Sequence, residues 1–214
     1  MRAKHGLPVV LMIVFALTRV PGLLPVNFSA VYGLLFCAGV YFIGRMAWWL
    51  PLATMAATDL GLGIYYFVTA GISGFQPYLL VNYAMYAVLI ALGRCFKPQT
   101  SWLVLLGGGV LGAMLFYLLT NTAAWFLNPF GNPEYTKDLA GWIIALTKGT
   151  AGYPQTWEFF RNTLLSGGLF TGLFAGAMKL SAALEPKEAP AAEAESDDDE
   201  EAEAPAAEPE QAKA

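Results

Sequence analysis

Ionisable and amide side chains interrupt the long apolar runs of this chain, and they are the residues best suited to chemistry. The segment FFRNTLLSGG (159–168) places Arg161 and Asn162 between phenylalanines and a run of leucine and glycine. A guanidinium binds carboxylate or phosphate groups, and an asparagine amide both donates and accepts hydrogen bonds. Similar positions in other apolar runs hold Arg19, Asn27, Asp59, Asn82, Asn121 and the aromatic Trp125. These residues are candidates for binding a small polar molecule.

Histidine and cysteine usage argues against a metal centre or a histidine-based active site. His5 is the single histidine and lies in the polar N-terminus, while Cys37 and Cys95 lack the spacing of metal ligands. No GxxxxGK(S/T) phosphate loop is present. An intramembrane enzyme is the least favoured class, because the apolar runs hold one deep acid, no histidine and no serine–lysine arrangement. We therefore predict a protein that is not an enzyme, with no catalytic residue, metal or cofactor.

The composition separates the chain into two parts. Hydrophobic residues make up 57% of its 214 residues and charged residues 13%, whereas soluble domains carry about 25% charge. Residues 185–214 hold twelve acids and two lysines, a net charge of −10, and the first 184 residues hold ten bases and four acids, a net charge of +6. This division predicts a transmembrane domain over 1–184 and a disordered acidic tail over 185–214. The tail would repel nucleic acid, so no nucleic-acid partner is expected.

A membrane-spanning helix needs about 20 mostly apolar residues. Six candidate runs lie at about 6–24, 28–44, 47–69, 77–93, 102–126 and 158–181. We therefore predict an all-α fold, a six-helix transmembrane bundle in a lipid bilayer with a disordered acidic C-terminal tail. Between the last two spans, DLAGWIIALTKG (138–149) predicts a short helix with Asp138 near its start and Gly149 past its end. It is too short to span, and lies either in the membrane interface or over the outer face as a lid.

The distribution of basic residues predicts the orientation of the bundle. With the N-terminus inside, eight of the twelve lysines and arginines fall on the cytoplasmic side and four fall outside. Both termini are therefore predicted to be cytoplasmic. At about 1.5 Å of rise per residue, the seven arginine, aspartate and asparagine residues named above then lie in the outer half of the bilayer. Polar groups within spans normally face a bundle interior or a water-filled cavity, so a polar vestibule open to the outside is expected.

The charged members of this set also have structural alternatives. Arg19 and Arg161 are shallow enough to reach lipid headgroups on their own. Asp59 is deeper, and its structural alternative is a buried ion pair with one of these arginines. A pair and a ligand site are compatible, because a carboxylate or phosphate of the ligand could share an arginine.

Four segments carry a resemblance to a known family: TRVPGLLPVNFSAVYGL (18–34), PLATMAATDLGLG (51–63), LFYLLTNTAAWF (115–126) and FFRNTLLSGGLFTGLFAG (159–176). They resemble an uncharacterised family of bacterial integral-membrane proteins that is similar to the substrate-binding S components of energy-coupling factor (ECF) transporters. The resemblance implies a bacterial cytoplasmic (inner) membrane location, a small-molecule ligand captured from outside, and separate transmembrane and ATPase partner subunits. The motif positions of the family fall on Arg19, Asn27, Phe28, Asp59, Thr120, Asn121, Trp125, Arg161 and Asn162.

The leading hypothesis is a substrate-binding membrane subunit of a small-molecule uptake transporter. Arg161 and Arg19 would hold anionic groups of the ligand, and Asp59 would orient an arginine or bind an amine. Asn121, Asn162 and Asn82 would supply hydrogen bonds, and Trp125 would stack on the ligand. The alternative is a non-transport membrane scaffold or interaction protein. In that case an Asp–Arg pair fixes the helix register and the acidic tail recruits a cytoplasmic partner.

Overall fold

Helices make up the regular structure of this protein. The computed structural model describes residues 3–71 and 78–184, and within them it contains seven helices and no strand. In chain order they are α1 (Ala3–Thr18), α2 (Val31–Tyr41), α3 (Met46–Ala70), α4 (Leu79–Arg94), α5 (Trp102–Leu127), α6 (Leu139–Thr147) and α7 (Thr156–Leu184). The prediction of an all-α fold is confirmed. The predicted acidic tail, 185–214, lies outside the described residues.

Two of these helices are long and apolar enough to cross a membrane. They are α5, with 26 residues, and α7, with 29 residues. The helices α1, α2 and α4 are also apolar but shorter. The length and composition of α5 and α7 are compatible with membrane association. The length and hydropathy of the remaining helices do not by themselves assign them to a membrane.

The first predicted span is longer than the helix found in its place. The sequence predicts a span over about 6–24, but α1 ends at Thr18. Pro21 lacks a backbone N–H and disfavours helical geometry in the residue before it, and Gly22 follows with a φ of 80°. Residues 19–30 are therefore a non-helical segment, which we call the α1–α2 connection.

The second predicted span is also too long. The sequence predicts it over about 28–44, whereas α2 covers only Val31–Tyr41. Before the helix, Asn27 adopts a left-handed φ of 58°, a conformation that does not continue into a helix. After it, Gly44 takes a φ of 56°. Eleven residues rise only about 16 Å, so α2 is a short element between longer helices.

Helix α2 forms the centre of the bundle. Every residue from Val31 to Val40 is buried, and the helix packs against α1, α3, α4, α5 and α7. Its sequence, VYGLLFCAGVY, contains no charged residue. A helix that is apolar on every side is stable only when other elements surround it, and this explains why the chain wraps around α2.

Glycines allow α5 and α7 to approach closely. A Cβ added to Gly109 of α5 would lie 2.6 Å from the Cβ of Thr171 on α7. A Cβ added to Gly167 of α7 would lie 2.5 Å from the Cβ of Ala113 on α5. Such distances are below van der Waals contact, so only glycine permits this separation of the two helices.

The regularly spaced glycines of α7 have different neighbours. Gly172 and Gly176 lie against the indole of Trp102, and Gly168 lies against Val110 of α5. The Nε1 of Trp102 also donates a 3.0 Å hydrogen bond to the carbonyl oxygen of Gly172. This four-residue repeat therefore accommodates α5 side chains, in agreement with a role in helix packing.

Replacing Gly109 by alanine is expected to destabilise the contact between α5 and α7. The new methyl group would overlap the Thr171 side chain, and overpacking of this kind costs about 1–3 kcal/mol. Gly107→Ala is the matched control on the same helix, because outside its own stretch of helix no described atom lies within 4 Å of the position its Cβ would take. Denaturant unfolding in detergent, followed by circular dichroism, measures both variants. Equal stability of the two variants would contradict the packing argument.

Candidate functional site

A cavity of about 590 Å³ lies between the α1–α2 connection and the bundle. Its walls come from this connection, from the start of α2 and from one face each of α3, α4 and α5. The volume falls within the range of small-molecule sites, about 300–1,000 Å³. Four residues predicted to bind a ligand line it: Arg19, Asn27, Asn82 and Asn121. We call this space the polar cavity.

Helical spacing brings the lining residues of α4 and α5 to one face of each helix. Residues four apart in a helix lie on the same side. Two such series line the polar cavity, Tyr78–Asn82–Tyr86 at α4 and Phe116–Thr120–Ala124 on α5. The sequence predicts Asn82 as a ligand-binding residue from its polarity, but it does not single out the aromatic residues beside it. The four-residue spacing from Asn82 is the signal that would have identified Tyr78 and Tyr86.

Three aromatic rings form one wall of the polar cavity. Tyr86 and Phe116 are stacked, with ring centroids 5.8 Å apart and planes 4° from parallel. Tyr32 packs against Phe116 with a centroid distance of 5.1 Å. We call Tyr32, Tyr86 and Phe116 the aromatic wall. Because the rings hold one another in place, this wall offers a preformed apolar surface to a ligand.

Arg19 forms an ion pair with Asp59 at the edge of the polar cavity. Arg19 Nη2 lies 2.5 Å from Asp59 Oδ1, and Arg19 Nη1 lies 3.3 Å from the sulfur of Met55. The hydroxyl of Tyr83 donates to the other carboxylate oxygen at 2.8 Å. The structural alternative predicted for Asp59, an ion pair with an arginine, is confirmed, and the partner is Arg19.

This ion pair positions the α1–α2 connection. Arg19 lies at the start of the connection, Asp59 on α3 and Tyr83 on α4, so their contacts join three elements. The Arg19 and Asp59 side chains are 18% and 14% exposed, respectively, which makes the pair largely buried. A guanidinium has five N–H donors, so Arg19 can bind Asp59 and still offer a hydrogen bond to the cavity that it lines.

The asparagine amides of the polar cavity have free hydrogen-bonding capacity. Asn121 Nδ2 donates to the carbonyl oxygen of Tyr117 at 2.8 Å, which leaves its Oδ1 and its second N–H available. Among the described residues, no side chain or backbone partner is found for the amides of Asn27 and Asn82. An amide that lines a cavity and has unused donors and acceptors can bind a polar group of a ligand.

Asn162 supports the polar cavity without lining it. Its Nδ2 donates a 3.0 Å hydrogen bond to the carbonyl oxygen of Val26 in the α1–α2 connection. Asn162 lies on α7, so this bond ties the connection to a further helix. Asn162 and Asp59 therefore act on the connection from outside the lining. For Asp59 this matches the predicted role of orienting an arginine, whereas Asn162 is predicted from the sequence to bind the ligand directly.

The structure does not bring Arg161 and Trp125 to the polar cavity. Arg161 is exposed, and its guanidinium carbon lies 5.7 Å from the ring centroid of Trp157. Trp125 Nε1 donates a 2.6 Å hydrogen bond to the carbonyl oxygen of Thr136. The two arginines therefore do not converge on one ligand, and of this pair Arg19 lines the polar cavity whereas Arg161 does not.

The chemistry that the polar cavity supports is recognition by hydrogen bonds and aromatic faces. Its lining consists of amides, phenols, aliphatic hydroxyls and apolar side chains together with Arg19. Within the described residues, no group of three or more histidine, cysteine, aspartate or glutamate side chains is placed to hold a metal ion.

Helix α6 confirms the short helix predicted between the last two spans. Asp138 is its N-cap, and Asp138 Oδ1 accepts a 2.8 Å hydrogen bond from the backbone N–H of Gly141. Gly149, with a φ of 73°, follows its end. Trp142 Nε1 donates to the hydroxyl of Thr122 on α5 at 3.0 Å. The helix packs against α5 and α7 and contributes no residue to the lining of the polar cavity.

The N-cap of α6 is expected to make its stability depend on pH. Hydrogen bonds from the Gly141 N–H and the Thr136 hydroxyl lower the pKa of Asp138. The stabilisation is therefore present above the unfolded-state pKa of an aspartate, about 3.9, and is lost as the pH falls through the lower folded-state value. Hydrogen–deuterium exchange of 138–149 measures it against Asp138→Asn, which keeps a neutral cap. Acid should weaken protection more in the wild type than in Asp138→Asn, and an equal response would contradict the prediction.

Comparisons with known proteins identify a family and no individual relative. No curated protein and no solved structure matches this chain. A match to a family described as a family of unknown function (DUF6580) extends over residues 2–191. It includes α1 to α7 and every residue that lines the polar cavity. The chain belongs to this family of unknown function, DUF6580.

Proposed function

We propose that this protein is a multi-pass membrane protein that binds a small molecule in the polar cavity, as the substrate-binding S component of an uptake transporter does. The observation that carries the proposal is the cavity itself. The α1–α2 connection, α4 and α5 together supply its polar residues Arg19, Asn27, Asn82 and Asn121. These residues are far apart in the sequence and converge on a space large enough for a small molecule. Uptake would require separate ECF-type transmembrane and ATPase subunits.

The surface of the bundle supports a location in a lipid bilayer. Large apolar side chains are exposed on α1, α3, α5 and α7, and include Ile13, Val68, Leu103 and Leu173. Soluble proteins rarely expose extensive apolar surface, whereas lipid solvates it. In this proposal α1 to α5 and α7 lie in the bilayer at the positions of the six predicted spans, and α2, whose eleven residues are too few to cross it, is enclosed by the others.

The basic residues support an outward-facing polar cavity. Arg45 precedes α3, Arg94 ends α4 and Lys179 lies near the end of α7. Asn82 precedes Arg94 by twelve residues, which is about 18 Å along a helix. Basic residues near span ends favour the cytoplasmic side, so the end of α4 that lines the cavity would face outward. The protein would then reside in the bacterial inner membrane with both termini in the cytoplasm.

Blocking the polar cavity is expected to remove its ligand. Native mass spectrometry of the purified full-length protein, taken from cells and after incubation with an extract of rich growth medium, should show a bound small molecule. Ala124 lines the cavity, so Ala124→Trp should lower the occupancy, because a loss of at least about 1.4 kcal/mol in binding raises the dissociation constant at least tenfold.

Leu119→Trp is the control for this experiment. Leu119 lies on the same helix, is 41% exposed and does not line the polar cavity, so its replacement should leave the occupancy unchanged. A wild-type protein that carries no small molecule under either condition would contradict the proposal. Equal occupancy in the two tryptophan variants would contradict the assignment of the site.

The acidic tail is the observation that favours the second candidate, a scaffold that recruits a cytoplasmic partner. The family match ends at residue 191, and the acidic run 197–201 lies beyond it. The matched residues include the cavity and exclude this acidic run, which supports the first candidate over the second. Deleting 192–214 should leave the bound small molecule in place, whereas the scaffold function would be lost with this segment.

A further inference from the structure

The polar cavity presents no net charge to a ligand. Arg19 is the one charged residue among the described residues that line it. Asp59 balances Arg19 through the 2.5 Å ion pair. The second oxygen of Asp59 already accepts the 2.8 Å hydrogen bond from Tyr83. Both members of the pair therefore have partners before any ligand enters.

A charged ligand would enter this cavity at a disadvantage. It would lose hydration without gaining a free counter-charge. An anion could share the remaining N–H donors of Arg19, but the Asp59 carboxylate, 2.5 Å from the same guanidinium, would offset most of the attraction. A cation would meet the Arg19 guanidinium at the wall. Arg161 offers no second positive charge, because it does not line the cavity.

The remaining lining groups match a flat ring with polar edges. The three rings of the aromatic wall border the polar cavity, and another ring can pack against them. Asn82 and Asn121 stand on neighbouring helices, α4 and α5, and both line the same space. A side-chain amide offers a donor and an acceptor side by side, so it pairs with a ligand edge that carries the complementary two groups.

We propose that the polar cavity selects an uncharged compound with a planar ring and adjacent hydrogen-bond donor and acceptor groups, such as a neutral nitrogen heterocycle or an aromatic carboxamide. The ring lies against the aromatic wall, and its polar edge binds the amides of Asn82 and Asn121. This inference rests on the function proposed above, and it narrows the ligand from small molecules in general to one charge class and shape.

The experiment separates an extract of rich growth medium by anion and cation exchange into uncharged, anionic and cationic fractions. The thermal midpoint Tm of the purified full-length protein is measured with each fraction. The uncharged fraction should raise Tm by at least about 2 °C, since ligands stabilise the state that binds them. The compound recovered from the protein should absorb in the near ultraviolet, as a conjugated ring does.

Variants connect this shift to the polar cavity. Asn82→Leu and Asn121→Leu should lose at least half of the Tm increase. Thr147→Ala, an exposed position on α6, should keep all of it. Circular dichroism and the Tm without extract report whether each leucine variant is folded, and Asn82→Ser and Asn121→Ser replace any that is not.

The possible outcomes separate this inference from the function on which it rests. A Tm increase from the anionic or cationic fraction alone, lost in the asparagine variants, would overturn the inference and keep the ligand-binding function. A Tm increase that survives in both asparagine variants would overturn the assignment of the ligand to these amides. No increase with any fraction would overturn the ligand-binding function as well.

Discussion

Asp59→Leu is expected to lower the free energy of unfolding by about 2–3 kcal/mol. The substitution leaves the Arg19 guanidinium without its carboxylate and leaves the Tyr83 hydroxyl without its acceptor. Breaking a fully buried ion pair costs about 3–5 kcal/mol. A smaller loss is expected here because the Arg19 and Asp59 side chains are still 18% and 14% exposed, respectively. Denaturant unfolding in detergent measures the difference.

The double variant Arg19→Met/Asp59→Leu is the informative control. Removing both charges eliminates the unpaired guanidinium, and apolar replacements of buried pairs are often neutral in stability. The double variant should therefore recover most of the loss seen in Asp59→Leu. Arg161→Met removes an exposed arginine and should cost less than about 1 kcal/mol. A double variant that is less stable than Asp59→Leu would contradict the ion-pair argument.

Asn121→Leu is expected to weaken ligand binding about 10- to 100-fold. Leucine has a similar size but cannot form hydrogen bonds, and a ligand group left unpaired in a cavity costs about 1–3 kcal/mol. The compound identified by native mass spectrometry is titrated against the purified wild-type and variant proteins by calorimetry. The Asn121 amide is chosen because one of its donors is held by Tyr117 at 2.8 Å, which fixes its orientation.

The variant Arg161→Ala distinguishes the ligand-binding role predicted from the sequence from the exposed position found in the structure. The sequence predicts that Arg161 holds an anionic group of the ligand, so that its removal abolishes binding. The structure places Arg161 on the exposed surface and outside the lining of the polar cavity. Its replacement should change the dissociation constant by less than about threefold, or about 0.65 kcal/mol. A large loss in Arg161→Ala with an unaffected Asn121→Leu would contradict the assignment of the site.

The helix content of this protein could be predicted because it depends on local features of the sequence. Apolar runs mark the helices, and Asp138 and Gly149 mark the ends of α6. The predicted helix boundaries are wrong where one residue changes the backbone direction inside an apolar run. Pro21 ends the first run early, and the left-handed conformation of Asn27 delays the start of α2. Hydropathy alone does not detect these changes, because the residues beyond them are still apolar.

The depth of a residue along a helix does not determine which way its side chain faces, as Arg161 shows. Successive residues turn by about 100° around a helix axis. Thr163, which is buried against the bundle, is thus about 200° from Arg161. Arg161 instead begins a four-residue series with Leu165 and Leu169, both exposed. This leucine series was present in the sequence, and it indicates the outward face of α7.

The sequence by itself determined that the chain is helical and which polar residues stand in apolar surroundings. It also limited the partners of Asp59 to Arg19 and Arg161. Only the tertiary structure decided between these arginines and formed the polar cavity from Asn27, Asn82 and Asn121. The physical reason is that helix formation follows from neighbours along the chain, whereas the direction of a side chain depends on how each helix is rotated and packed against the others.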